Sequence, residues 1–124
     1  MKVTTGEALD ALTALQTLVG EKMPVATGMQ IRRIVRALTP VAEDYNGERQ
    51  KLIERYAQQN GNGPKTDERG NILLADAVGW NAGHRELLAV EQDVDATLTV
   101  SALTESGINV EPRLLIGLGP LLVE

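Results

Sequence analysis

One stretch constrains the fold more than any other. From Ala26 to Gln59, apolar residues recur at Ile31, Ile34, Val35, Leu38, Val41, Ala42, Tyr45, Leu52, Ile53 and Tyr56, the spacing of one helical face. The loop Asn60-Gly61-Asn62-Gly63-Pro64 closes the pattern. A helix of that length is long beside a domain of 124 residues, so part of its stripe needs a partner, either another helix of this chain or another subunit. Pro40 lies inside the pattern, where it removes one backbone hydrogen bond and crowds the preceding turn. Ile31, Leu38, Tyr45 and Leu52 stand seven apart on both sides of it, and that continuity of phase favours one kinked helix over two. The same spacing is that of a coiled-coil seam, weakened here by Gly47 and Glu48.

Thr4-Thr5-Gly6-Glu7 reads as a capping box, with the Thr4 hydroxyl and the Glu7 carboxylate satisfying each other's backbone amides. Leu9, Leu12, Leu15 and Val19 then share a face, and Gly20 stops the segment, so a first helix is expected over about 5–19. The connection Glu21-Lys22-Met23-Pro24-Val25 is short, which folds the long helix back beside the first as an antiparallel hairpin.

Beyond the Asn/Gly loop the character changes. Gly70-Asn71-Ile72-Leu73-Leu74 has the look of a short strand after a turn. Asp76 is placed to cap a third helix over roughly 77–91, with Val78, Trp80, His84, Leu87, Leu88 and Glu91 spaced helically. Val94, Ala96, Leu98 and Val100 alternate with Asp95, Thr97 and Thr99, a half-buried strand pattern. Thr104-Glu105-Ser106-Gly107 is a turn, and Ile108-Asn109-Val110 is expected to be extended. Pro112 suits the first position of a short helix carrying Leu114, Leu115 and Ile116, which Gly117, Gly119 and Pro120 interrupt. The apolar end Leu121-Leu122-Val123 must dock, on the core or on a neighbouring subunit.

Composition closes off several chemistries. There is no cysteine, which excludes disulfides and thiolate metal sites, and the single histidine excludes a multi-histidine site. With no Phe, one Trp and two Tyr, aliphatic side chains must fill the interior, and stacking platforms for single-stranded nucleic acid are unlooked-for. A net charge of −5 is the wrong sign for a general nucleic-acid binder. Arg32, Arg33 and Arg36 do form a local basic patch near Lys22; it reads either as a contact for phosphate or acidic protein, or as the solvated face of the helix. No stretch approaches a membrane span, and Met1 to Gly6 has no apolar signal-peptide region, so a soluble protein that stays where it is made is expected.

Catalytic signatures are weak. Glu91, Asp93 and Asp95 can present carboxylates to a hard cation at a helix-to-strand junction, although a solvated acidic edge is the preferred account of them. His84 lacks a Gly-x-Ser-x-Gly elbow to activate and shares a helix face with Trp80 and Leu88, as a packed or half-exposed side chain would. Asn60 to Gly63 has no Gly-Lys-Ser/Thr ending, and Gly117-Leu118-Gly119 lacks the third glycine of a dinucleotide fingerprint.

Other elements occur in a telling order: Lys22-x-Pro24-Val25, then Ile31, Ile34 and Leu38, then Glu48, Lys51, Leu52, Ile53 and Tyr56, then Gly70-Asn71-Ile72. The end of the chain adds Val110-Glu111-Pro112 through Leu118, Pro120 and Leu121. In that order, over nearly the whole chain, these elements resemble a family of small phage proteins of uncharacterised function. The chain departs from that pattern by being richer in Ala, Gly and Arg and poorer in Lys and aromatics. The resemblance implies a phage origin, carries over no enzymatic residue, and points to structural or assembly roles.

The expected fold is α+β, a single domain over 1–124: a long antiparallel helical hairpin (1–59), a loop (60–70), and a mixed subdomain (71–124) with a small sheet of short strands and one or two short helices. The expected function is a non-enzymatic phage interaction module for virion or tail structure or assembly. It forms a homo-oligomer, takes no cofactor, nucleic acid or membrane, and acts in the bacterial host cytoplasm during infection, with incorporation in the virion an open alternative. Ile31, Leu38, Tyr45 and Leu52 of the seam, Arg32, Arg33 and Arg36 of the basic patch, and Leu121 and Leu122 of the tail are the expected contact residues. The alternative is a small acidic phage inhibitor that blocks a host enzyme or defence complex, where charge complementarity with a basic surface would aid binding.

Overall fold

A computed structural model describes residues 1–124 other than Val19, Asn60, Asn62, Ile108 and Asn109. The expectations for Val19 on the first helix, for Asn60 and Asn62 in the loop, and for Ile108-Asn109 as extended chain lie outside the described residues. The fold is α+β: a long helical hairpin accompanied by short strands and short helices. Contacts divide the chain into two compact units, residues 1–42 with 91–124 and residues 43–90, a different division from the one expected at 59 and 71.

The first unit begins with strand β1 (Lys2–Thr4) and helix α1 (Thr5–Gln16). The capping box forms as expected: the Glu7 amide donates to Thr4 Oγ1 at 3.1 Å and the Thr4 amide donates to Glu7 Oε1 at 2.8 Å. The helix ends earlier than its apolar spacing suggests. Thr17 caps it, with its hydroxyl donating to the Ala14 carbonyl at 2.7 Å, a local bond that competes with helix continuation. Gly20, at φ +88°, then takes the left-handed turn that only glycine adopts freely.

Helix α2 (Val25–Tyr56) follows, 32 residues and roughly 48 Å long. It runs unbroken through Pro40, so the proline does not end it. The amide that Pro40 lacks would have bonded the Arg36 carbonyl. Both residues are exposed, so water can satisfy that carbonyl. Residues 25–42 belong to the first unit, where α1 and α2 make the expected antiparallel hairpin.

The rest of the first unit comprises strand β2 (Glu91–Asp93), strand β3 (Leu98–Thr99), helix α4 (Val100–Glu105), helix α5 (Pro112–Leu118), the 3-10 turn Gly119–Leu121 and strand β4 (Leu122–Val123). Strand β2 pairs antiparallel with β1, setting Lys2 opposite Asp93, Val3 opposite Gln92 and Thr4 opposite Glu91. Strand β3 pairs in parallel with β4, Leu98 beside Leu122 and Thr99 beside Val123. The alternating run expected over 94–100 therefore carries a strand only at Leu98–Thr99, near its end. Val94 and Leu98 do point inward, but the Thr99 hydroxyl accepts the Ala102 amide at 3.2 Å and starts α4 at Val100.

The core of this unit is aliphatic throughout, as a chain without Phe requires: Leu15, Ile34, Leu38, Leu98, Leu103, Leu118 and Leu121 are fully buried. The apolar end of the chain docks on its own core through Leu121. Thr27 ties α2 to α4 inside the unit, its hydroxyl donating to the Ala102 carbonyl at 3.3 Å.

The second unit holds residues 43–56 of α2, a bridged loop and helix α3 (Ala77–Ala89). Asp76 caps α3 by accepting the Gly79 amide at 2.9 Å, as its position predicts. The helix stops at Ala89, so Glu91 falls on β2 and not on the helix. The strand expected at 70–74 is reduced to two single antiparallel bridges, Ala57 with Leu74 and Thr66 with Ile72, and a third in the same loop joins Gln59 with Pro64. Pro64 has no amide to donate, which interrupts a continuous ladder there.

Candidate interaction surfaces

The helix that fits most closely on α1 is α5, through Gly117. A Cβ at that glycine would stand 2.7 Å from the Ala14 Cβ. Beside this contact lies a groove of about 530 Å³, walled by the C-terminal half of α1 and the turn after it, and by Glu111 and α5 as far as Gly117. Ala14, Leu18, Leu114 and Ile116 give it an apolar lining, and Asp10, Glu21, Glu111 and Arg113 supply its charges: three carboxylates against one guanidinium. Ile116 remains 80% exposed, with Leu115 partly exposed next to it.

A second surface lies on the first twelve residues of α2. At 100° per residue, Val25, Met29, Arg32 and Arg36 fall within roughly 60° of arc, with Arg33 beside them. Thr27, Ile34, Leu38 and Val41 occupy the opposite side and are buried. Val25 is 78% and Met29 52% exposed, and the three arginines are exposed too. None of the three forms an ion pair with a described residue. This face is thus apolar at the helix start and cationic one turn further on.

The seam residues are used within the chain. Leu38 is 1% exposed in the core of the first unit, with Ile31 half-buried beside that core. In the second unit, Tyr45 hydrogen-bonds His84. Leu52 reaches α3 at Gly83, where a Cβ would meet Leu52 Cδ2 at 2.9 Å. Leu121 is buried and Leu122 half-buried against β3. Of the contact residues read from the sequence, only Arg32, Arg33 and Arg36 stand fully at the surface. The preference for internal packing over a free coiled-coil seam follows from the short connection and from α3 supplying the partner face.

Tyr45 and His84 belong to an aromatic cluster that single-sequence reading did not assemble. Trp80 and His84 stack with ring planes 8° apart and centroids 5.4 Å apart, and the Arg49 guanidinium lies 5.9 Å from the Trp80 ring. Only the four-residue spacing of Trp80 and His84 foreshadowed it. None of the side chains of α3 is buried, and Val78 is 81% exposed.

The acidic trio is split by the strand. Glu91 lies 3.9 Å from Lys2 Nζ on the β1–β2 ribbon, with Asp93 on the same strand and Asp95 beyond it. Among the described residues, no three His, Asp or Glu side chains converge in a way that would hold a metal ion. Nor is any helix among them long and apolar enough to cross a membrane. No model of a protein family matches the chain, and no curated protein or solved structure does.

Proposed function

We propose that this chain is a non-enzymatic protein–protein interaction module of a phage, serving virion or tail assembly and associating with copies of itself. One observation carries the reading: large aliphatic side chains stand in solvent on three separate helices, Val25 on α2, Val78 on α3 and Ile116 on α5, each about four-fifths exposed. Isolated exposed apolar residues are ordinary, but here Ile116 flanks a groove and Val25 shares a helix face with Met29, and such patches mark contact surfaces. The aromatic cluster around His84 supports a structural role for that residue, since its imidazole is engaged by Tyr45 and Trp80. The module would act in the cytoplasm of the infected bacterium, where virions are put together.

Affinity capture of the tagged protein from infected cells, read by mass spectrometry, tests this. Recovery with capsid or tail proteins, and presence of the chain in purified virions, is the expected result. Recovery of a single host enzyme through salt-sensitive binding would replace the assembly reading with that of an acidic inhibitor.

A further inference from the structure

We propose that the α1–α5 groove of one copy receives the exposed face of α2 from a second copy. The proposal rests on the homo-oligomeric reading above and names its two surfaces. Their chemistry matches in both respects that count. The groove offers apolar walls at Leu114 and Ile116 beneath the carboxylates of Asp10, Glu21 and Glu111. The α2 face offers Val25 and Met29 followed by Arg32 and Arg36, with no carboxylate of a described residue paired to either arginine. Seating one on the other buries the most exposed large apolar side chains of α2 and α5, Val25 and Ile116, together and sets the arginines against the carboxylates.

Both surfaces lie in the first unit, so every copy carries one of each. Reciprocal seating closes a two-fold dimer, and one-way seating builds a ring or filament. A contact confined to one groove and one helix face is expected to be weak and concentration-dependent. Arg113 is the one groove charge that opposes the incoming arginines.

The decisive experiment uses two charge-reversed variants of the full chain, one Arg32→Glu with Arg36→Glu, the other Asp10→Arg with Glu111→Arg. Mass in solution is followed by light scattering over a concentration series. The wild type is expected to associate, each variant alone to remain monomeric, and an equimolar mixture of the two to associate again. In the mixture every contact regains opposite charges, and recovery there proves that both variants are folded. Association of the wild type should also weaken as salt rises.

Two results would overturn the proposal. A wild type that stays monomeric at about 1 mM, enough to half-populate a millimolar contact, removes the second copy as occupant, while recovery of virion proteins in the capture experiment would leave the assembly reading standing. If each charge-reversed variant alone associates as well as the wild type, the copies meet through another surface, which keeps self-association and discards the groove.

Discussion

Tyr45 Oη lies 2.8 Å from His84 Nε2, a hydrogen bond that fastens α2 to α3 across 39 positions of sequence. The bond is half-buried, and the His84 ring is held at the same time by Trp80. None of the α3 side chains is fully buried, and this bond joins the approach of Leu52 to Gly83 in holding α3, so its loss should be felt in the second unit. Tyr45→Phe keeps the ring and removes only the hydroxyl; it is expected to destabilise by about 1 kcal/mol. His84→Ala removes the bond and the stacking together and should cost more. Amide exchange across residues 77–89 measures both, and equal protection in Tyr45→Phe and wild type would show the bond to be dispensable.

Two glycines within helices should respond oppositely to the same substitution. At Gly117 a Cβ would lie 2.7 Å from the Ala14 Cβ, which is no flexible side-chain end and can give way only if a helix moves. Overpacking of this kind costs roughly 1–3 kcal/mol, partly offset by better helix propensity. Gly117→Ala should therefore destabilise, and Ala14→Gly in the same chain should recover part of the loss. At Gly47, in α2, a Cβ meets nothing within 4 Å, so Gly47→Ala should stabilise by about 1 kcal/mol. Urea unfolding of the two single variants gives the comparison directly.

The turn at Asp67 makes a pH prediction. Its carboxylate accepts the Asn71 amide at 2.9 Å and the Arg69 amide at 2.8 Å. These bonds, the Asn71 amide foremost, hold its pKa below the ordinary 3.8. A pKa lowered on folding contributes stability that is present above 3.8 and lost as pH falls through the folded value. Exchange protection at Asn71 should thus fall only below that range. Asp67→Asn keeps an acceptor oxygen and should flatten the pH dependence, whereas Asp67→Ala should lose protection at every pH.

Local signals were the legible part of this chain. Thr4 with Glu7, Asp76 and Pro112 each act within one helical turn, and each stands where the sequence puts it. The aliphatic core and the docking of Leu121 follow from composition and from the exclusion of apolar surface from water. What escaped depends on distant pairings. Gly117 reads as a helix breaker until Ala14 is seen against it, because close approach is a property of two helices and not of one. The groove joins residues 10–21 to 111–117, and no periodicity connects segments so far apart. Val100 continued an alternating pattern, and the Thr99 cap overrode it by offering the backbone a helical start.

The same groove separates stability from association. Ile116 and Leu118 are two residues apart on α5, yet Ile116 is 80% exposed and Leu118 is fully buried. Leu118→Ala should cost about 2–5 kcal/mol of stability through the cavity it leaves. Ile116→Ser should stay within about 0.5 kcal/mol of wild type, as surface changes do, while weakening self-association if Val25 and Met29 of a second copy rest on it. Arg113→Glu should act in the opposite sense: it removes the one groove cation that repels Arg32 and Arg36, and tightens association about two- to fivefold, the scale of an exposed charge pair. Melting curves and light scattering on the three variants separate the effects. Should Arg113→Glu weaken association instead, Arg113 would be a contact for a carboxylate of the neighbouring copy, and the groove would be receiving some surface other than the α2 face.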